Sequence, residues 1–208
     1  MGRLRTLPLS FYRRPAAAVA RDLLGRYVVR EVGEARLVVQ LVETEAYLGA
    51  PDRASHAAGG RRTARNESLY LPGGHAYVYF IYGMHFCLNA VTGAADEGGA
   101  VLLRAGEPIA GIEEMARNRN WTRPPRSLRP GDLGGGPGKL CQALAVDRAL
   151  DGVRLDRGPL RITEGEPVAD EAVATGPRIG VDYAGEAAAW PLRFALRGNP
   201  HVSRPRLG

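Results

Sequence analysis

Lysine is almost absent from this chain. Lys139 is the only one in 208 residues, although lysine and arginine together number 28 against 22 acids, a net charge of +6. The positive charge is therefore carried by arginine, whose planar fork binds phosphate and stacks on aromatic rings. Such an excess favours an anionic partner, nucleic acid first and an acidic membrane surface second. A lone lysine also leaves little scope for an amine nucleophile that would form a Schiff base. Cysteine is scarce too: Cys87 and Cys141 form no CxxC pair and no His/Cys cluster. That argues against a zinc site and a disulfide framework, and fits a reducing cytoplasm. No apolar run reaches the length of a membrane helix. The basic start, Met1-Gly2-Arg3-Leu4-Arg5, lacks the apolar stretch and small-residue cleavage site of a signal peptide. A soluble, cytoplasmic protein is expected. With 45% hydrophobic residues, no repeat and no long linker between comparable halves, one domain over residues 1–208 is expected, its tail Ser203–Gly208 disordered.

What is present reads as strands in runs with helices grouped between them. Pro15–Leu24 has a proline near its first turn and Gly25 as a stop, the marks of a helix. Tyr27–Arg30 and Leu37–Glu45 read as strands around a turn at residues 31–34, and Ala50–Asn66 as a long polar loop of the kind that carries function. His75–Ile81 and His85–Val91 form a hairpin around Tyr82-Gly83-Met84, followed by a strand at Ala100–Ala105. Helices are expected at Ile109–Arg119 and Pro137–Val146, with irregular chain at residues 120–136 and short strands beyond Leu155. The pattern predicts an α+β domain with a curved, mostly antiparallel sheet, a protruding β-hairpin and flanking helices.

The most informative stretch is Leu41–Gly49, where an alternating apolar run ends in Glu43, Glu45 and Tyr47. Strict alternation would put these three on one face with Leu37, Val39 and Leu41. Carboxylates on such a face sit at the rim of a pocket, pair with arginine, or fray into solvent.

Several blocks follow in one register: Glu43–Gly49, Gly59-Gly60-Arg61, Tyr77-Val78-Tyr79 with Ile81–Met84, Val101–Arg104, Gly138–Leu144 and Pro191–Phe194. Together, from about Leu7 to Ser203, the chain resembles the alkyladenine (3-methyladenine) DNA glycosylase family. The resemblance implies a monofunctional base-excision enzyme with no cofactor and no metal. It would flip damaged purines (3-methyladenine, 7-methylguanine, hypoxanthine, ethenoadenine) from double-stranded DNA and hydrolyse the N-glycosidic bond. A monomer, associated with the nucleoid, is the corresponding expectation.

Residue by residue, Glu45 matches the family's general base, while Arg104 and the backbone carbonyl of Ile179 match its water ligands. Tyr47 and Tyr79 match the walls that stack on the flipped base, His56 a polar pocket residue, and Asn89 a group that crowds guanine. Cys87 is expected to line the pocket. Tyr82, at the hairpin tip, matches the residue that fills the hole left in the stack. Arg61, Arg62, Arg65, Arg193 and Arg197 are phosphate-clamp candidates, each of which can equally be a solvated surface side chain. Lys139 lies at a helix start, where phosphate could also bind. Ala50 and Ala64 replace prolines frequent in the family's active-site loop. Two other readings compete: a non-catalytic nucleic-acid-binding module, and a metal-dependent nuclease using Glu43, Glu45 and Asp52.

Overall fold

The computed structural model describes residues 5–123 and 125–207. Two short helices, α1 (Leu9–Tyr12) and α2 (Ala16–Leu23), lead into strands β1 (Tyr27–Val32) and β2 (Ala35–Tyr47). The loop after β2 contains two 3₁₀ turns, at Ala58–Gly60 and Glu67–Tyr70. Strands β3 (Ala76–Ile81), β4 (His85–Thr92) and β5 (Gly99–Ala110) follow, then α3 (Ile112–Asn118) and α4 (Pro137–Ala143). Strands β6 (Leu160–Thr163), β7 (Val173–Gly176) and β8 (Arg193–Leu196) complete the sheet. The order is β3-β4-β5-β2-β1-β6, and every pairing among the described residues is antiparallel. This is the expected α+β architecture. Among the described residues no helix is long and apolar enough to cross a membrane.

The long strand β2 is the axis of the molecule. One edge pairs with β5 along its length. The other edge is divided, with residues 35–40 against β1 and Glu43–Glu45 against β8. Helices cover one face. Ala16, Val19, Ala20 and Leu23 recur at helical spacing and bury the apolar stripe of α2. They join Leu140 and Cys141 of α4 and Leu37, Val39, Leu41, Val101 and Leu103 of the sheet in the main core.

Boundaries shift where backbone conformation intervenes. The strand expected to end at Ala105 runs on to Ala110, because Val38 and Val39 of β2 keep it paired. The helix expected from Ile109 starts only at Ile112. Gly111 turns the chain with φ 76°, and a Cβ there would lie 2.6 Å from a Leu37 methyl and 2.8 Å from the Arg36 carbonyl. Helix α4 stops at Ala143, because Ala145 adopts φ 48° and the Val146 amide closes back onto the Cys141 carbonyl. Within the segment expected to be disordered, Ser203 is buried and Leu207 packs against the cluster of Val42, Ala105, Ala195 and Val202.

One irregularity decides where the acids point. The β2–β5 ladder pairs Leu41 with Gly106, Glu43 with Ala105 and Thr44 with Leu103, so it skips Val42 on one strand and Arg104 on the other. Each strand thus places two successive side chains on the face away from the helices. Beyond this double bulge, Ala46 is in the helix-side core and Thr44 donates to the Ala20 carbonyl of α2. Val42 and Ala105 pack on the opposite side. Glu43, Glu45 and Tyr47 therefore do not share the face of Leu37, Val39 and Leu41. The bulge shifts the side-chain phase by one residue and directs the acids into a different layer.

Candidate active site

On that second face, four charged groups interlock with almost no solvent exposure. Glu45 is 0% exposed and Arg104 6%. One Glu45 oxygen accepts the Ile179 backbone N–H at 2.8 Å and lies 3.2 Å from an Arg104 nitrogen; the other accepts the Tyr47 hydroxyl at 2.9 Å. Glu43, also fully buried, accepts from Arg104 Nε at 2.9 Å, Arg193 Nε at 2.7 Å, and the hydroxyl and amide of Ser203 at 2.9 and 2.7 Å. Burial by itself would raise the Glu43 carboxyl, but the Arg104 and Arg193 guanidiniums and the Ser203 bonds hold it below its ordinary range. Burial opposes charge on Arg104 as well, and its two carboxylate neighbours outweigh this, raising its pKa. Two acids and two arginines leave the cluster neutral, the condition under which buried charge is tolerable.

A second buried pair braces the neighbouring loops. Arg178 grips both oxygens of Asp52, and donates to the carbonyls of Ala46 and Ala187 at 2.9 and 3.0 Å. Its guanidinium lies 4.7 Å from the centre of the Tyr47 ring. Asp52 in turn accepts the amides of Leu48 and Ala54 at 3.0 Å each. The turn into this loop needs Gly49, where φ is 79° and a Cβ would come within 2.4 Å of the Glu97 carbonyl. The pair thus ties the chain after Tyr47 to the segment that presents Ile179.

Above these groups opens a cavity of about 320 Å³, within the usual range for small-molecule pockets. Tyr47, Tyr77, Tyr79 and Leu102 give it apolar walls, while Arg104, His56 and Asn89 supply convergent polar groups. The His56 and Tyr79 rings meet edge to face with centroids 4.5 Å apart, and Tyr77 lies 5.3 Å from Tyr79. His56 Nδ1 is 2.7 Å from the Tyr77 hydroxyl. Burial, then the Arg65 and Arg61 charges, lowers its pKa, so the ring is neutral at neutral pH. Burial raises the Tyr47 hydroxyl, reinforced by the Glu45 carboxylate, so Tyr47 remains a proton donor to it. Burial also raises the Cys87 thiol, which leaves it a neutral wall group. Asn89 spends its Nδ2 on the Tyr77 carbonyl at 3.0 Å, so the acceptor Oδ1 is the end left for other partners.

At the mouth, Tyr82 is 80% exposed on the tip of the β3–β4 hairpin. The Met84 amide bonds back to the Ile81 carbonyl across Tyr82 and Gly83, both with positive φ (55° and 68°), as in the tight turns that suit hairpins. Tyr183, 69% exposed, also lines the cavity and was not expected from the sequence. An aromatic residue between Gly180 and Gly185 in a turn was the available signal, the same one that marks Tyr82. Asp52, Arg178 and Ser203 were likewise not expected as site supports, and no local pattern marks them.

The structure separates the basic candidates. Arg61 and Arg65 line a groove of about 410 Å³ that shares His56, Tyr77 and Tyr183 with the cavity, and Arg53 and Thr63 join them there. Arg62 is instead held by Glu67 and Asp96, over the Tyr70 ring. Lys139 is exposed and 3.3 Å from the Gly131 carbonyl, outside the cavity lining. Arg197 donates to the Glu171 carbonyl and borders a separate shallow groove. Arg193 cannot clamp a phosphate: it is 2% exposed, committed to Glu43 and to the Pro205 carbonyl at 2.7 Å. The three carboxylates of the nuclease reading are likewise each engaged by arginine. Among the described residues no three His, Cys, Asp or Glu side chains are grouped to hold a metal ion.

Comparison with known proteins identifies the family. A family model described as methylpurine-DNA glycosylase matches residues 10–200. The chain is 49% identical over 198 residues to a Myxococcus xanthus protein provisionally named a 3-methyladenine DNA glycosylase, covering 95% of this chain and 93% of that one. It is 44% identical over 214 residues to the human DNA-3-methyladenine glycosylase, covering 97% of this chain and 69% of the human one. Matches of this extent leave one assignment: the chain belongs to the methylpurine-DNA glycosylase family.

Proposed function

We propose that the protein removes alkylated or deaminated purines from duplex DNA by base flipping and hydrolysis, leaving an abasic site, with water as the nucleophile. The observation that carries this reading is the placement of Glu45. Its carboxylate lies under an aromatic-walled cavity, bonded to Tyr47, the Ile179 amide and Arg104, all three of which line that cavity. In this scheme Tyr47 and Tyr79 stack on the flipped purine, Asn89 and His56 face its edge, and Tyr82 fills the vacated place in the duplex. A water molecule held by Glu45, Arg104 and the Ile179 carbonyl attacks C1′ as the N-glycosidic bond breaks. Its oxygen stays on the sugar and one proton passes to Glu45; a cationic 3- or 7-methylated purine leaves as a neutral base, whereas hypoxanthine or ethenoadenine takes up a proton from solvent water as it departs. Neutral His56 serves as a hydrogen-bonding group in the pocket. Lys139 lies outside the cavity lining and is not placed to form a Schiff base there, which supports a glycosylase without strand cleavage.

The test is a panel of duplexes carrying 3-methyladenine, 7-methylguanine, hypoxanthine or ethenoadenine, scored separately for released base and for nicked strand. Base release without nicking is expected, undiminished by EDTA. Glu45→Gln should lower single-turnover excision at least ~100-fold, the size of a general-base effect, while DNA binding persists. Excision at the unmodified rate by that variant would refute the assignment.

A further inference from the structure

The catalytic scheme leaves the Ser203 region without a role, yet its contacts converge on the reacting groups. We infer that Ser203 and Glu43 are positioning residues: the segment 203–207 acts as a strap that fixes the Arg104 guanidinium against Glu45. This rests on Glu45 and Arg104 acting as proposed above.

Each side-chain nitrogen of Arg104 has its own partner. Nε donates to Glu43 at 2.9 Å, one terminal nitrogen lies 3.2 Å from Glu45, and the other donates to the Ser203 hydroxyl at 3.3 Å. The Ser203 hydroxyl simultaneously donates to Glu43 at 2.9 Å, using both its donor and an acceptor site. A guanidinium is planar, so fixing Nε and one terminal nitrogen sets the direction of the other. Glu43 and Ser203 together therefore orient the nitrogen that faces Glu45.

The strap is itself anchored. Arg193 donates to the carbonyls of Ser203 and Pro205 at 3.4 and 2.7 Å. The Leu207 side chain lies where a Cβ on Gly176 would come within 2.5 Å of it. Leu207 also packs against the cluster of Val42, Ala105, Ala195 and Val202, whose first two members adjoin Glu43 and Arg104 at the double bulge. The strap thus bears both on the hydrogen bonds of Arg104 and on the backbone irregularity that aims it.

Ser203 is the informative position because it carries no charge, so its replacement leaves the two-acid, two-arginine balance intact. Ser203→Val and Ser203→Thr have nearly the same shape and differ in the hydroxyl. The assay is single-turnover release of methylpurines from duplex DNA methylated with dimethyl sulfate, beside binding to undamaged duplex. Ser203→Val should excise about tenfold more slowly, the equivalent of about 1.4 kcal/mol in the barrier, while Ser203→Thr stays within about twofold of the unmodified chain. Both should bind DNA normally. Equal rates for the two variants, or a loss confined to binding, overturn the proposal. Glu45→Gln run alongside separates the role of Glu45 from that of the strap. Unmodified rates in that variant sink the base assignment, whereas an inactive Glu45→Gln with indistinguishable Ser203 variants sinks the strap alone. If neither Ser203 variant folds, Leu207→Ala decides: slower excision with normal binding supports the strap, and an unchanged rate refutes it.

Discussion

Replacing Asp52 by asparagine changes no volume and removes one charge, which makes it a sharp test of how the site is held together. One Asp52 oxygen receives the Ala54 amide and an Arg178 nitrogen, and the other receives the Leu48 amide and the second Arg178 nitrogen. All four partners are donors. Whichever way an asparagine amide is turned, its NH₂ faces one backbone N–H and one guanidinium N–H. Two donors lose their acceptor, each costing about 1–3 kcal/mol when buried. Arg178, 5% exposed, also keeps its charge without a counterion. Breaking a buried pair in this way costs about 3–5 kcal/mol in total. For a chain of this length each kcal/mol lowers the melting temperature by about 2–4 °C, so Asp52→Asn should melt about 6–20 °C lower. Thermal unfolding followed by circular dichroism measures it. Excision should fall more than DNA binding, because the Arg178–Asp52 pair holds the segment that presents Ile179 to Glu45. In a double-mutant cycle, Asp52→Asn with Arg178→Met should be less destabilised than the sum of the two. A melting temperature within about 2 °C of the unmodified chain would refute the reasoning.

Other outcomes follow from the same geometry. Tyr82→Ala should slow excision most where the damaged base is well paired and least where it sits in a mismatch, since less flipping energy is then needed; equal losses in both contexts would argue for a structural role. Affinity for undamaged duplex should fall with salt by about 0.9 in log–log slope per phosphate neutralised, and Arg61→Ala should make the slope shallower by about one. Arg193→Gln, by contrast, should leave that slope unchanged and lower stability, because Arg193 faces Glu43 inside the protein. Despite its burial, Glu43 has a folded pKa held below its ordinary value by the Arg104 and Arg193 guanidiniums and the Ser203 bonds. It therefore contributes stability that is fully present above the unfolded value of about 4.3 and is lost as pH falls through the folded one. Urea titrations at pH 7 and at successively lower pH should show this loss, and Glu43→Gln, less stable at pH 7, should show a shallower acid dependence.

The sequence by itself determined what depends on local chemistry. The helix signals at Pro15 and Gly25, the alternating run into Glu45, and the aromatic residue before Gly83 at a hairpin tip each specify an element within a few residues of chain. The ordered blocks pointed to the family, and with it to Glu45, Arg104, Tyr47, Tyr79 and Tyr82. Tertiary structure alone decided which charges are buried and which way they face. Alternation placed Glu43 and Glu45 beside Leu41; the unpaired Val42 and Arg104 moved them to the other layer, because a bulge shifts a strand's side-chain phase without altering its sequence period. Arg193 and Arg61 look alike in the sequence, yet one is sealed against Glu43 and the other lines an open groove. Asp52 meets Arg178 across 126 residues and Glu43 meets Ser203 across 160. Such pairs form only once strand register and loop closure have brought both partners into the same water-free space. In water each charge would be satisfied separately, so nothing in its immediate sequence neighbours reveals the other.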